Sequence, residues 1–221
     1  MNKEIFKTKQ EANELIYKKI EKISLKMPKS TCVISGGTST LELIKNLGPY
    51  LNSNNSFVLS DERLVSKLSQ YSNSKPFNKL IESKRMAPLN NIILPKEKTI
   101  FNKLNKILDD FENKLKKLNV GLNILGVGED GHIASVSKSF DVIEKRDLCF
   151  LCKSKKEDFY RISVNFDFLK KAQDNIFLFY GKNKSKVLYS VLNNENLGLP
   201  ICDFINIINH KYLIICDDKC H

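Results

Sequence analysis

The 221 residues suffice for one domain of ordinary size and are too few for a repeat array or a long multidomain chain. With 42% hydrophobic and 28% charged residues, the composition is that of a protein with a buried core, which excludes intrinsic disorder. The formal charge of +11 invites anionic partners, yet of 36 basic residues only Arg63, Arg85, Arg146 and Arg161 are arginines, and readers of nucleic acid depend on arginine forks. No nucleic-acid partner is therefore expected, only a mild attraction for small anions.

The amino-terminal stretch MNKEIFKTKQEANELIYKKI is polar and amphipathic, and nowhere do about 18 apolar residues run together. No secretory leader or membrane span is expected, and the compartment expected is the cytoplasm. Ala12, Leu15, Ile16, Ile20 and Ile23 recur at helical spacing and predict a helix over 8–26. TCVIS (31–35) reads as a buried strand, GGTS as a turn and TLELIKNL (40–47) as a helix. SFVLS (56–60) is a second strand, followed at once by Asp61-Glu62-Arg63. Residues 66–90, broken by Pro76 and Pro88, form a long polar excursion with a helix near 76–84. An amphipathic helix at 100–118 leads into a strand at 121–128 that ends in a glycine-rich turn. Further strands are expected at 148–152, 160–164, 175–180 and 211–216, with helices at 166–172 and 182–193. The alternation of strand and helix predicts an α/β fold whose mostly parallel sheet carries helices on both faces, in a single domain spanning 1–221.

Six cysteines are too sparse for a disulfide framework in a chain this long. Cys149-x-x-Cys152 and Cys216-x3-Cys220-His221 have spacings that zinc would accept. Cys149, Cys152 and Cys216 sit, however, in the apolar runs LCFLC and YLIIC, where a thiol behaves as a small buried hydrophobe, and no metal site is expected.

Three places carry chemistry. Ser35-Gly36-Gly37-Thr38-Ser39-Thr40 lies between a strand and a helix, where glycines let backbone approach a ligand, and free N–H groups with three hydroxyls suit a phosphate. A plain tight turn with Ser39 as helix cap is the alternative. Asp61-Glu62-Arg63 stands at a strand's carboxyl end, the edge of an open α/β sheet where ligands bind, or else is an exposed ion pair. In Gly126-Val127-Gly128-Glu129-Asp130-Gly131-His132, also at a strand end, the imidazole has an unperturbed pKa of about 6.5 that suits a general base, and a neighbouring carboxylate can hold its tautomer. Sequence leaves open whether Asp130 or Glu129 does so. Arg161, opening the strand RISVN, and Lys184, in GKNK, are two further cations with access to a phosphate.

SGGTST, SDERLVSKLSQYSNSK and LGVGEDGHIAS, in this order, resemble the 6-phosphogluconolactonases, in the larger group that includes the glucosamine-6-phosphate deaminases; YRISVN, GKNKSKVL and YLIICDD extend the resemblance from about residue 8 to 218. It implies a deaminase-like variant of the Rossmann arrangement, acting as monomer or homodimer on a small phosphosugar lactone, with no cofactor. It further implies that His132 activates water, that Asp130 orients it, that Arg63 faces the developing negative charge, and that Gly36, Gly37, Thr38 and Ser39 hold the 6-phosphate with Arg161 and Lys184. This chain departs from the lactonases with Thr40 where their turn has proline, and with Ile133-Ala134-Ser135-Val136-Ser137-Lys138 where they read T-A-S-L-F-P. Ile133 is a deaminase habit, but Ser137 stands where deaminases carry a catalytic glutamate, and Arg63 where they carry tyrosine. A deaminase or isomerase, and a non-catalytic sugar-phosphate-binding homologue, remain the alternatives.

Overall fold

The structure is a computed structural model that describes residues 2–6, 8–47, 56–82, 103–195, 197–209 and 212–220. The later part of the predicted excursion (83–90), the expected helix start at 100–102 and residue 211 of the last predicted strand lie outside the described residues, as do His210 and His221.

The chain begins with β1 (Asn2–Phe6), α1 (Lys9–Lys26), β2 (Thr31–Ile34), α2 (Leu41–Lys45), β3 (Ser56–Leu59), β4 (Asp61–Arg63) and α3 (Lys75–Glu82). It continues through α4 (Leu104–Leu115), β5 (Val120–Gly126), β6 (Phe140–Lys145), β7 (Cys149–Ser154), β8 (Tyr160–Val164) and α5 (Phe166–Leu169). β9 (Asp174–Phe179), a 3-10 turn (Lys182–Lys184), α6 (Ser185–Leu192), α7 (Pro200–Ile208) and β10 (Tyr212–Asp217) complete it. A parallel sheet runs β1-β10-β9-β5-β2-β3, and a second, antiparallel sheet runs β4-β8-β7-β6.

Period-two alternation splits the parallel sheet into two buried faces. Ile34, Leu59, Leu122, Ile124, Leu178 and Ile215 pack with Ile16, Ile20, Leu43 and Phe77 of α1–α3. Val33, Val58, Leu125, Phe177 and Ile214 face the other way, onto Phe111 of α4 and Phe204 of α7, and the same core takes in Leu151 and Ile162 of the second sheet. α1 starts where the sequence places it because Thr8 and Glu11 close a capping box, Glu11 N donating to Thr8 Oγ1 at 3.2 Å and Thr8 N to Glu11 Oε2 at 3.1 Å. Among the described residues no helix is long and apolar enough to cross a membrane.

Three elements lack a counterpart in the sequence reading. β1 and β6 are edge strands with polar or exposed faces, so neither shows the apolar signal of a buried strand. α7 begins with Pro200 at its first turn, a helix-start residue that the flanking loop obscured. The tripeptide Asp61-Glu62-Arg63, expected directly at the carboxyl end of a strand, is itself a strand. Ser60 N still bonds Ile34 O (2.9 Å) in the parallel sheet, while Ser60 O accepts from Val164 N (2.9 Å) of the antiparallel one. Ser60 is thus the pivot at which the chain changes sheets, and the strands at 149–154 and 160–164 belong to the second sheet.

Because β4 is a strand, its charges part by face. Asp61 and Arg63 stand opposite Ser163 and Arg161 of β8, whereas Glu62 turns inward, 2% exposed. Its carboxylate accepts from Arg63 N (2.7 Å), Ser74 N (2.7 Å), Asn73 N (2.8 Å) and Ser72 Oγ (3.2 Å), folding residues 72–74 back beneath β4. Burial holds the carboxyl above its ordinary range even against those donors. Glu62→Ala orphans at least two buried N–H groups and is expected to cost about 3 kcal/mol, lowering Tm by roughly 6–12 °C in a thermal scan. A shift under about 2 °C would show that the 72–74 segment holds itself.

Candidate active site

All three stretches singled out in the sequence reach one cavity of about 670 Å³ at the carboxyl ends of β2, β3 and β5. Hydroxyls stitch these strand ends together: Ser35 Oγ receives Gly126 N at 3.2 Å and Ser60 Oγ at 3.3 Å, and Thr40 Oγ1 donates to Ser35 O at 2.6 Å. Gly36, Gly37, Thr38, Ser39, Arg63, Asp130, His132, Arg161 and Lys184 all line the cavity.

Gly37 has φ 87°, open to glycine at little cost, and a Cβ on Gly36 would collide with the Asn73 side chain. The N–H groups of Gly36, Gly37, Thr38 and Ser39 make no hydrogen bond among the described residues. Thr40 rather than Ser39 takes the N-cap position of α2, without a side-chain cap bond. At five residues α2 has a short dipole, so an anion here would be held by the turn's own donors and by nearby cations. Lys184 Nζ donates to Ser39 Oγ at 3.2 Å. Burial lowers the pKa of Lys184, and the charge of Lys9 lowers it further. Lys9, at the start of α1, lines the same cavity, its ammonium 5.1 Å from the ring centroid of Tyr180.

His132 sits where the 127–139 loop doubles back: Gly128 N donates to His132 O at 2.9 Å, and a Cβ on Gly128 would collide with the imidazole. Gly131, at φ 75°, makes the turn. The ambiguity over the carboxylate is resolved by distance. Asp130 Oδ1 lies 2.5 Å from His132 Nδ1, whereas Glu129 Oε1 accepts from Asn183 Nδ2. That bond to His132, ahead of one from Ser137 Oγ (2.7 Å), holds the Asp130 carboxyl well below the usual carboxylate range. With Asp130 ionised, Nδ1 carries the proton and Nε2 is left as the basic nitrogen.

Arg63 and Arg161 are cross-strand partners, a juxtaposition of like charges. Two features offset it. Both guanidiniums lie over the Phe159 ring, at 6.0 and 5.9 Å. Arg161 is also paired to Glu157 by Nε (2.8 Å) and Nη2 (2.6 Å) and to Asp61 by Nη1 (3.2 Å), so its donors are largely committed. Among the described residues Arg63 is held only through Nη1, which donates to Tyr71 O (3.0 Å) and Asn73 Oδ1 (3.1 Å), and its buried Nε has no partner there.

The sequence reading missed Asn73 and Lys9. Asn73 touches the glycine turn, donates to Asp61 O (3.0 Å) and positions Arg63, yet it lies in a polar run with no local mark. Lys9 is one of many lysines, and only its place at the amino end of α1 brings it to the site. The six cysteines are all buried, and burial pushes the thiol of Cys32 up to about 12.

The family model for glucosamine-6-phosphate isomerases/6-phosphogluconolactonase matches residues 6–208. Among curated proteins, the 6-phosphogluconolactonase of Thermotoga maritima is 28% identical over 193 residues, covering 83% of this chain and 84% of that protein. The crystal structure of a Thermotoga maritima 6-phosphogluconolactonase superposes with a TM-score of 0.80 at 23% identity, over 98% of this chain and 99% of that one. The Trypanosoma cruzi 6-phosphogluconolactonase gives 0.80 at 19% identity, over 99% and 95%. These likenesses span both sheets.

Proposed function

Since the chain belongs to the glucosamine-6-phosphate isomerase/6-phosphogluconolactonase family, we propose that it hydrolyses 6-phospho-D-glucono-1,5-lactone to 6-phosphogluconate, as one domain needing no cofactor. The observation that carries this reading is the Asp130–His132 couple, 2.5 Å long, sharing a cavity with a half-buried Arg63 whose Nη2 makes no hydrogen bond among the described residues. Ester hydrolysis needs an activated water and a cation for the oxyanion, and it needs no second base to move a carbon-bound proton. Ser137, five residues after His132, spends its hydroxyl proton on Asp130 and is no such base.

In the proposed reaction His132 Nε2 takes a proton from water as the oxygen adds to the lactone carbonyl carbon. Arg63 stabilises the resulting oxyanion. The intermediate collapses by breaking the bond to the ring oxygen, which receives the proton back from His132, and the product carboxylic acid then ionises. The glycine turn, Lys184 and Lys9 take the 6-phosphate; Arg161, held by its two carboxylates, adds positive field.

The test is hydrolysis of freshly generated lactone by the pure protein, with the spontaneous rate subtracted and ammonia release from glucosamine-6-phosphate followed in parallel. Accelerated lactone hydrolysis without ammonia is expected. Ammonia without lactone hydrolysis would reverse the assignment within the family, and neither would leave a protein that only binds sugar phosphates.

A further inference from the structure

Ser137 is the hub of a hydrogen-bond chain behind the Asp130–His132 couple. Its Oγ lies 2.7 Å from Asp130 Oδ2, 2.8 Å from Ser139 Oγ and 3.1 Å from Ser139 N. A hydroxyl has one proton to give and two lone pairs. The Ser139 N–H can only donate, and the ionised Asp130 can only accept. The Ser137 proton therefore goes to Asp130, and Ser139 Oγ must donate to Ser137, which uses the full capacity of that hydroxyl. Asp130 in turn has both oxygens engaged, Oδ2 by Ser137 and Oδ1 by His132 Nδ1 (2.5 Å) and His132 N (3.3 Å).

The direction of this chain matters because the couple is half open to water, the His132 and Asp130 side chains being 38% and 48% exposed. A carboxylate held on one oxygen alone could turn about its terminal bond and exchange the imidazole for solvent. Held on both, it presents Oδ1 to Nδ1 in one orientation, and the neutral imidazole keeps its proton there.

We propose that Ser137, oriented by Ser139, is a positioning residue that locks Asp130 and thereby keeps His132 in the tautomer with Nε2 free to act as base. The inference rests on the hydrolase reading for its kinetic consequence and on geometry alone for its structural one. It also gives a role to a position at which this chain departs from the lactonase pattern.

Two readouts test it. In the free protein, 15N NMR above the imidazole titration, with the resonance assigned by its loss in His132→Ala, should show a single Nδ1–H tautomer in the wild type and a mixture in Ser137→Ala. In lactone hydrolysis, Ser137→Ala should lower kcat about tenfold with KM within about twofold, and Ser137→Thr, which keeps the hydroxyl, should restore it. An unchanged tautomer in Ser137→Ala overturns the proposal, whether kcat holds or falls, since a fall would then come from the loop's shape. Absence of lactone hydrolysis in the wild type would remove the proposed function, and the tautomer measurement would still decide the role of Ser137.

Discussion

His132→Ala is expected to fold as the wild type does and to lose about three orders of magnitude in kcat, the middle of the range for a positioned general acid or base, here one that also returns its proton to the leaving group. The fold is spared because the imidazole is partly exposed and packs on Gly128 rather than into either core. The loss follows from the geometry, since Asp130 fixes Nδ1 and no other described imidazole lines the cavity. Binding of 6-phosphogluconate, followed by calorimetry, should change by less than about threefold, as the phosphate is taken elsewhere. A folded variant with near-normal kcat would remove His132 from the reaction. The same substitution frees the Asp130 carboxyl from the contact that depresses it most. A depressed carboxyl adds stability above its unfolded value of about 3.9 and loses it as pH falls through the folded one. That contribution is small at a half-exposed site, and the variant should therefore show slightly less stability than the wild type at neutral pH and converge with it in acid.

Arg63→Ala is expected to lower kcat/KM by about 10²–10³, with most of the change in kcat, the size seen when one preorganised donor to an oxyanion is removed. Arg63 suits this because β4 and Asn73 hold one end of the guanidinium through Nη1, while Nη2 bonds nothing among the described residues. Arg63→Lys should recover little, since an ammonium cannot span Tyr71 O and Asn73 Oδ1 and still offer a planar donor edge to the substrate. Steady-state kinetics on freshly made lactone decide the matter. If only KM rises and kcat holds, Arg63 binds substrate and transition state alike, and the oxyanion has another partner. Either variant should leave Tm within a few degrees, because the Glu62 carboxylate still ties the backbone of the 72–74 segment to β4.

The candidate site was legible where its signals are local. The glycines of the 35–40 turn and the strand-end histidine with a carboxylate two residues before it each depend on residues a few positions apart, so φ, ψ and near-neighbour hydrogen bonds suffice to read them. The parallel sheet was legible too, because strands buried on both faces are continuous apolar runs. β1 and β6 were not, because an edge strand with one neighbour and a wet face carries no such run.

Tertiary structure alone decided the rest. Asp61 meets Arg161 100 residues away, and Lys184 meets Ser39 145 residues away. Nothing near Asp61 in the chain says that it leaves one sheet for another at Ser60, or that Asn73 returns to hold Arg63. The choice between Asp130 and Glu129 was likewise settled only by which oxygen reached the imidazole once the loop had closed on Gly128. Residue type and short-range geometry thus determined which groups could do chemistry. Which of them face one another was set by strand pairing and core packing, interactions whose partners no local stretch of sequence contains.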